Sequence, residues 1–212
     1  QLHTGGAAAT RDTMALTGGK AAAINGAAVL DAGCGIGGSS RLLAEEFGYQ
    51  VTGIDLSDAF IRAALTLTRA TGLSGRVGFQ QGSVSDLPFA DTCFDAVLCQ
   101  HLLMNIPEKP PVFESFFRVL KKGGRLILHE VVKGNNQPLA FPVPWAGDAA
   151  ISHVLPWDRI QSDLEQAGFK IEHRQDTTGA AARWWGRVRD AAARPGAFDR
   201  PLGPHLVFGR AA

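Results

Sequence analysis

The stretch VLDAGCGIGGSS, residues 29–40, gathers residues that can hold a ligand. Asp31 stands two positions before Gly33, and Gly35, Gly37 and Gly38 follow. Glycines so spaced let a chain turn sharply from a strand into a helix and bring its backbone close to a bound molecule. Gly33, Gly35 and Gly38 fit the dinucleotide spacing G-x-G-x-x-G, in which a pyrophosphate rests on a helix N-terminus. Asp31 argues against that occupant, because a carboxylate at the strand tip would repel the phosphate charges. S-adenosylmethionine also contains adenosine, but it carries an ammonium, a carboxylate and a sulfonium instead of phosphates. An acid at the strand tip suits the ammonium, and backbone N–H groups of the turn can take the carboxylate. Asp55 lies 22 residues after Gly33, where an acid can accept hydrogen bonds from both ribose hydroxyls. That spacing supports an adenosine site with either cofactor.

The elements that must carry these residues alternate. AAVLDAG (27–33) reads as a buried strand and SSRLLAEEF (39–47) as a helix stopped by Gly48. YQVTGID (49–55) is a strand, and Ser57 or Asp58 caps a helix ended by Gly72. RVGFQ (76–80), FDAVLCQ (94–100) and RLILHEVV (125–132) are further strands, with a helix over 111–120. After the helix WDRIQSDLEQAGF (157–169), stopped by Gly168, KIEHRQD (170–176) and HLVFG (205–209) read as the last two strands, with a helix over RWWGRVRDAA (183–192) between them. This order predicts a Rossmann-like, doubly wound α/β fold: a mostly parallel seven-stranded sheet with helices on both faces. Its ligand would sit beyond the carboxyl ends of the strands. Residues 133–156 hold four prolines and no period. They read as a lid-like insertion on that ligand side. The expected organisation is an N-terminal segment (1–26) closing over the site, a cofactor-binding core (27–132), the insertion (133–156) and a C-terminal completion (157–212).

Composition removes other classes. A chain of 212 residues with net charge +1 has no general basic excess for gripping nucleic acid. Arg183, Arg187, Arg189, Arg194, Arg200 and Arg210 do cluster late in the chain. They read as a solvated helix face and tail, or as an attraction for an anionic substrate or partner. Cys34, Cys93 and Cys99 form no CxxC pair, and the histidines do not fall at metal-ligand spacing, so no metal site is expected. No run reaches the roughly 18 apolar residues of a membrane span, and QLHTGGAAATRD lacks a signal-peptide core. A cytoplasmic home is the expectation. No GxSxG or GxxxxGK[ST] motif is present, and the single tyrosine, Tyr49, gives no hydride-transfer pair.

Taken together, VLDAGCGIGG, VTGIDLS, GSVSDLPF, FDAVLCQHLLMNI and VLKKGGRLILHEVV resemble the class I S-adenosylmethionine-dependent methyltransferases. The closest likeness is to the small-molecule branch that includes sarcosine/dimethylglycine, sterol, tocopherol and ubiquinone-pathway enzymes. The resemblance implies that Asp31, Gly33, Cys34 and Gly35 hold the methionine part. Asp55 would hold ribose, with Leu56 stacked on adenine. Gly82, Ser83 and Val84 would meet the adenine edge, and Gln100 would lie near the methionine moiety. Ser83 departs from the family, which usually has an acid there; its hydroxyl can still accept from the adenine amino group, and Val84 can cover the ring face. Thr4, Gly5 and Gly6 would close over the site.

The sulfonium is an activated donor, so the protein's task is alignment and exclusion of water. A base is needed only where the acceptor must lose a proton. His101 is the first candidate for base or substrate anchor and His129 the second. Asn105 could orient a polar acceptor, His153 could enter from the insertion, and Trp145 or Trp157 could hold a methylated ammonium by cation–π attraction. The expected function is methyl transfer to a small molecule, with an amine preferred over a quinol, phenol or sterol-like ring. An NAD(P)-dependent oxidoreductase and a non-catalytic binder remain as competing readings. A homo-oligomer is compatible with the sequence.

Overall fold

The computed structural model of the chain describes residues 4–15, 26–134 and 139–192. Five strands form one parallel sheet in the order β3-β2-β1-β4-β5. They are β1 (Ala28–Ala32), β2 (Gln50–Asp55), β3 (Val77–Gln81), β4 (Phe94–Gln100) and β5 (Leu120–His129). The helices are α1 (Gly6–Ala15), α2 (Gly38–Phe47), α3 (Asp58–Ala70), α4 (Pro110–Val119), α5 (Trp157–Gln166) and α6 (Thr178–Ala192). Strand β1 pairs with β2 on one side and β4 on the other, so the chain reverses its direction of winding there. A crevice opens at that point, beyond the carboxyl ends of the strands.

Alternation along the strands sends successive side chains to opposite faces. Val29, Val51, Ala96 and Leu98 join Met14 of α1 and Leu43 and Ala44 of α2 in one core layer. Leu30, Ile54, Val97 and Cys99 join Val112, Phe113 and Phe116 of α4 and Ile160 and Leu164 of α5 in the other. Helix boundaries follow local chemistry. The Ser57 hydroxyl accepts from Phe60 N at 3.3 Å, which makes Ser57 the cap of α3. Gly48 ends α2 in the left-handed conformation at φ 73°. Tyr49 is fully buried, stacked on Phe47, just before the amino end of β2 and so at the opposite end of the sheet from the crevice.

Two parts of the expected sheet differ. Residues 170–176 form no strand. They lie along β5 through side chains, with Arg125 Nε donating to Glu172 Oε2 at 3.1 Å and Ile171 packing on the core. One core-packed apolar residue in seven leaves little to drive a ladder. Residues 205–209 lie outside the described residues, so the described sheet has five strands where seven were expected. Strand β5 also ends at His129, opposite Gln100, not at residue 132. Gly123 and Gly124 lie within β5, where the pairing with β4 shifts register, and not in a turn before it.

The insertion is fastened at both ends. Lys133 N donates to Leu155 O at 2.8 Å, and His153 N donates to Met104 O at 2.8 Å. Lys109, 1% exposed, donates its ammonium to Ile106 O at 2.9 Å and His153 O at 2.7 Å. No helix among the described residues is long and apolar enough to cross a membrane.

Phe79 of β3 leans over both the glycine turn and β2. A Cβ at Gly53 would lie 2.5 Å from Phe79 Cδ1 and 2.9 Å from Cys34 Cβ. Gly53→Ala is expected to cost about 1–3 kcal/mol through overpacking, and adding Phe79→Leu should recover part of that loss. Chemical denaturation of the single and double variants checks both. Equal midpoints for wild type and Gly53→Ala would mean that Phe79 moves aside freely.

Candidate active site

The glycine turn is stitched to β2. Gly33 N and Cys34 N both donate to Ile54 O, at 2.9 and 3.0 Å, and Gly35 N donates to Asp55 Oδ2 at 2.9 Å. The other oxygen of Asp55 accepts Ser57 N at 2.9 Å. Gly37 N donates to Cys34 O at 2.9 Å. Four amides of the turn are thus committed within the protein. This corrects the expectation that these four groups take a carboxylate from the ligand. Gly33 is required on two counts. Its φ is +76°, and a Cβ there would come within 2.9 Å of the Leu102 methyls.

Asp31 is buried, 3% exposed, and the Ser40 hydroxyl donates to it at 2.5 Å. Burial pushes its pKa up to about 6 against the pull of Ser40, and the charge of Asp55 adds to the rise. Burial beside Asp31 and Asp55 also holds the Cys34 thiol well above the usual range, so it stays protonated. Leu56 follows Asp55 and is 73% exposed, a large apolar side chain left open beside a carboxylate. An apolar face next to a carboxylate suits an adenine and its ribose. Gly82 N donates to Asp55 O at 3.0 Å, which brings the β3 loop alongside. The Ser83 hydroxyl is exposed and accepts Ser85 N at 3.2 Å, keeping one acceptor position. Val84 differs from expectation: it is buried in the core layer with Leu30 and Ile54 and does not present a face to a ring.

Gln100 ends β4 and is buried. Its Oε1 accepts from the hydroxyls of Thr10 and Ser39, both at 3.1 Å, and its Nε2 lies 3.5 Å from His129 Nδ1. It therefore joins α1, α2 and β5. Arg11 adds an ion pair to Glu46 at 2.5 Å, a second tie from α1 to α2.

His101 and His129 come together, with ring centroids 4.8 Å apart and planes at 78°. His101 has φ +52° and donates its N–H to His129 O at 2.9 Å. A left-handed conformation is uncommon for a residue with a Cβ, and such positions gather at functional sites. Thr4, His101, Asn105, His129 and Trp145 line one groove. His153 does not line it; its backbone anchors the insertion instead. Trp145 Nε1 donates to the Ser152 hydroxyl at 3.0 Å. The Trp157 ring is taken by Arg174, whose guanidinium carbon lies 4.7 Å from the ring centroid, so this face already holds a cation of the protein. No metal-holding cluster occurs among the described residues.

Sequence reasoning passed over Glu130. Its carboxylate accepts Leu102 N at 2.9 and 3.1 Å and the Cys99 thiol at 3.3 Å, and desolvation pushes its pKa up to about 7. The signal was an acid interrupting the apolar run RLILHEVV at a strand end.

A parallel sheet reversing at β1, a glycine turn beyond it and acids ending β1 and β2 define an adenosine-binding α/β domain. The comparisons narrow this further. Residues 30–128 match the family described as a methyltransferase domain. The chain is 32% identical over 171 residues to sterol methyltransferase-like 2 of Botryococcus braunii, covering 76% of this chain and 44% of that protein. It is 36% identical over 195 residues to phosphoethanolamine N-methyltransferase 1 of Zea mays, covering 82% and 38%. The crystal structure of the [4+2]-cyclase SpnF superposes with a TM-score of 0.72 at 30% identity, covering 91% of this chain and 70% of that one. The chain belongs to the S-adenosylmethionine-dependent methyltransferase family of the class I fold. It spans less than half the length of both curated relatives.

The raised pKa of Asp31 has a consequence for stability. The folded protein binds this proton more tightly than the unfolded chain, so the ionised carboxylate costs stability above about pH 6 and the cost vanishes toward pH 4. Asp31→Asn is expected to raise the unfolding free energy at pH 8 by up to about 3 kcal/mol, with the gain shrinking as pH is lowered from 7 to 4. Thermal melts across that range check it; a gain that grows toward acid would reverse the assignment.

Proposed function

We propose that this chain transfers a methyl group from S-adenosylmethionine to a small organic acceptor. The observation that carries the reading is the buried carboxylate of Asp31 beside a turn whose amides at Gly33, Cys34, Gly35 and Gly37 are already bonded within the protein. Such a site has two carboxylates, Asp31 and Asp55, whose charge gains from a cation and opposes a pyrophosphate. It favours the ammonium of S-adenosylmethionine over a nicotinamide dinucleotide. Tyr49, buried near the amino end of the sheet, gives the oxidoreductase reading no support.

In this reading Asp31 takes the ammonium, Asp55 the ribose hydroxyls and Leu56 the adenine face, with Ser83 at the adenine edge and Gln100 beside the methionine part. The bound cofactor supplies a methyl group already activated on a sulfonium. The chain's own residues align the acceptor and keep water out. His101, with His129 packed against it, holds or accepts the proton that an amine or hydroxyl acceptor must lose. Asn105 orients a polar group, and Trp145 offers an aromatic face to a cationic one. Of the two flanking segments, Thr4 lies on the groove and His153 holds the insertion in place. The phosphoethanolamine relative favours an amine acceptor, and the sterol relative supports a ring carbon as the alternative. Three cysteines, none in a disulfide, fit a reducing compartment such as the cytoplasm.

A second reading rests on the [4+2]-cyclase, whose name gives a cyclisation on this fold at 30% identity. There the acceptor groove would bind and rearrange a substrate with no methyl consumed.

Calorimetric titration with S-adenosylhomocysteine, NAD and NADP separates the cofactors, and micromolar binding of the first alone is expected. Asp55→Ala should weaken that binding by about 1.5–3 kcal/mol, since it strips charged hydrogen bonds. His101→Ala should lower turnover on amine and phenol acceptors while leaving the affinity unchanged. Release of S-adenosylhomocysteine in step with methylated product supports methyl transfer; substrate conversion with no cofactor consumed supports the cyclase reading. Binding of a nicotinamide dinucleotide alone overturns both.

A further inference from the structure

The segment from His101 to Ile106 carries His101 and Asn105, yet it is neither strand nor long helix. A single 3₁₀ turn (Leu103–Asn105) follows a residue at φ +52°. Something must hold such a backbone in place, since His101 sits where side chains rarely do. Two consecutive residues at the end of β5 do so. His129 O accepts His101 N at 2.9 Å, and the Glu130 carboxylate accepts Leu102 N through both oxygens, at 2.9 and 3.1 Å. Leu103 N also donates to Glu130, and the Cys99 thiol adds a bond at 3.3 Å. The carboxylate therefore caps the 3₁₀ turn at its start. At the other end the turn is tied to the insertion, because Met104 O accepts His153 N and Lys109 grips Ile106 O and His153 O.

We infer that Glu130 is a positioning residue: its ionised carboxylate fixes the 101–105 backbone and so sets where His101 and Asn105 meet the acceptor. The inference rests on the reading that those two side chains face the acceptor. It assigns Glu130 no bond to substrate.

The charge state of Glu130 decides the strength of that hold. A carboxylate offers strong acceptor positions to all three donors, whereas a protonated acid turns one oxygen into a donor. The titratable groups that act on Glu130 are the Cys99 thiol of β4 and the Lys109 ammonium just before α4. Lys109 in turn is faced by Glu108 and by Asp163 of α5. Burial raises the Glu130 pKa to about 7, and Lys109 opposes the rise without cancelling it. The hold on Leu102 consequently loosens as pH falls through about 7.

Amide spectra of the ¹⁵N-labelled full chain test this with neither cofactor nor acceptor present. The Leu102 and Leu103 amides are expected to titrate with a midpoint near 7 in wild type and to be flat over the same range in Glu130→Gln. Titration that persists in the variant would assign the change to His101 or His129 and overturn the inference. Should the variant fail to fold, the ¹³C-labelled carboxyl of Glu130 in wild type carries the same test, since its midpoint must coincide with that of Leu102; separate midpoints overturn it. In turnover, Glu130→Gln is expected to lower kcat by about ten- to a hundredfold through misplacement, with S-adenosylhomocysteine affinity unchanged. Equal loss of kcat and of cofactor affinity would make Glu130 merely structural. Failure of S-adenosylhomocysteine to bind would sink the proposed function, but it is a separate result from the amide titration.

Discussion

The hydrogen bonds that tie the glycine turn to the end of β2 are the constraint on which the site depends. Ile54 O receives two amides of the turn, and the Asp55 carboxylate receives a third. With the turn held there, Gly33 leaves just enough room for the Leu102 side chain from the loop after β4. Leu102 in turn presents its amide to Glu130 beyond β5. The carboxyl ends of β2, β1, β4 and β5 are thereby joined in one line of contacts, each fixing the next. A methyl transfer gains from such order, because alignment of the reacting atoms supplies much of the rate.

The same ends of the sheet gather charge out of water. Asp31 and Glu130 are both held above the usual carboxylate range by desolvation, and Lys109 is held below the usual lysine range by burial. Each ion costs stability in the absence of a partner. The core layers of aliphatic and phenyl side chains on both sides of the sheet offset that cost. The arrangement is reasonable for a site that must receive a cationic cofactor. On the proposed reading, an ammonium reaching Asp31 would relieve the cost of that acid's burial.

How much of this was legible follows from the kind of signal each residue leaves. Glycine spacing, terminal acids and alternating apolar runs are local, so the turn, the succession of β1 to β5 along the chain and a cap at Ser57 or Asp58 could be read from the chain, whereas the packing of His101 on His129 could not. Val84 could not be placed, because a valine in a loop looks the same whether it faces a ligand or the core. The commitment of the turn's amides to β2 depends on the distance between two strands, which no spacing in the sequence records. Glu130 was hidden for a related reason. Inside RLILHEVV it reads as one polar position on a strand, and only the end of β5 at His129 shows that it turns toward the next loop. The segment 170–176 has a single apolar residue, Ile171, too little apolar surface to be drawn into a ladder.

The match to the family stops at residue 128, one position before His129. It covers every candidate for holding the cofactor, from Asp31 to Gln100, and on the acceptor side only His101 and Asn105. His129, Glu130, Trp145 and His153 all fall beyond it, as does the whole insertion. The division has a physical basis, since an adenosine and a methionine present the same atoms to each protein, whereas an amine, a sterol ring and a cyclisation substrate share no shape. A sterol methyltransferase-like protein, a phosphoethanolamine methyltransferase and a cyclase can therefore each resemble this chain at similar identity. What separates them must be built on the acceptor side. In this chain two charged residues hold that side from opposite directions: Glu130 holds the start of the 101–106 loop, and the buried Lys109 fastens its end to the insertion. On the proposed reading, the groups carried between those two anchors, and on the segment tied to them, are where the acceptor would be chosen, with the anchors holding that side in register with the glycine turn through Leu102.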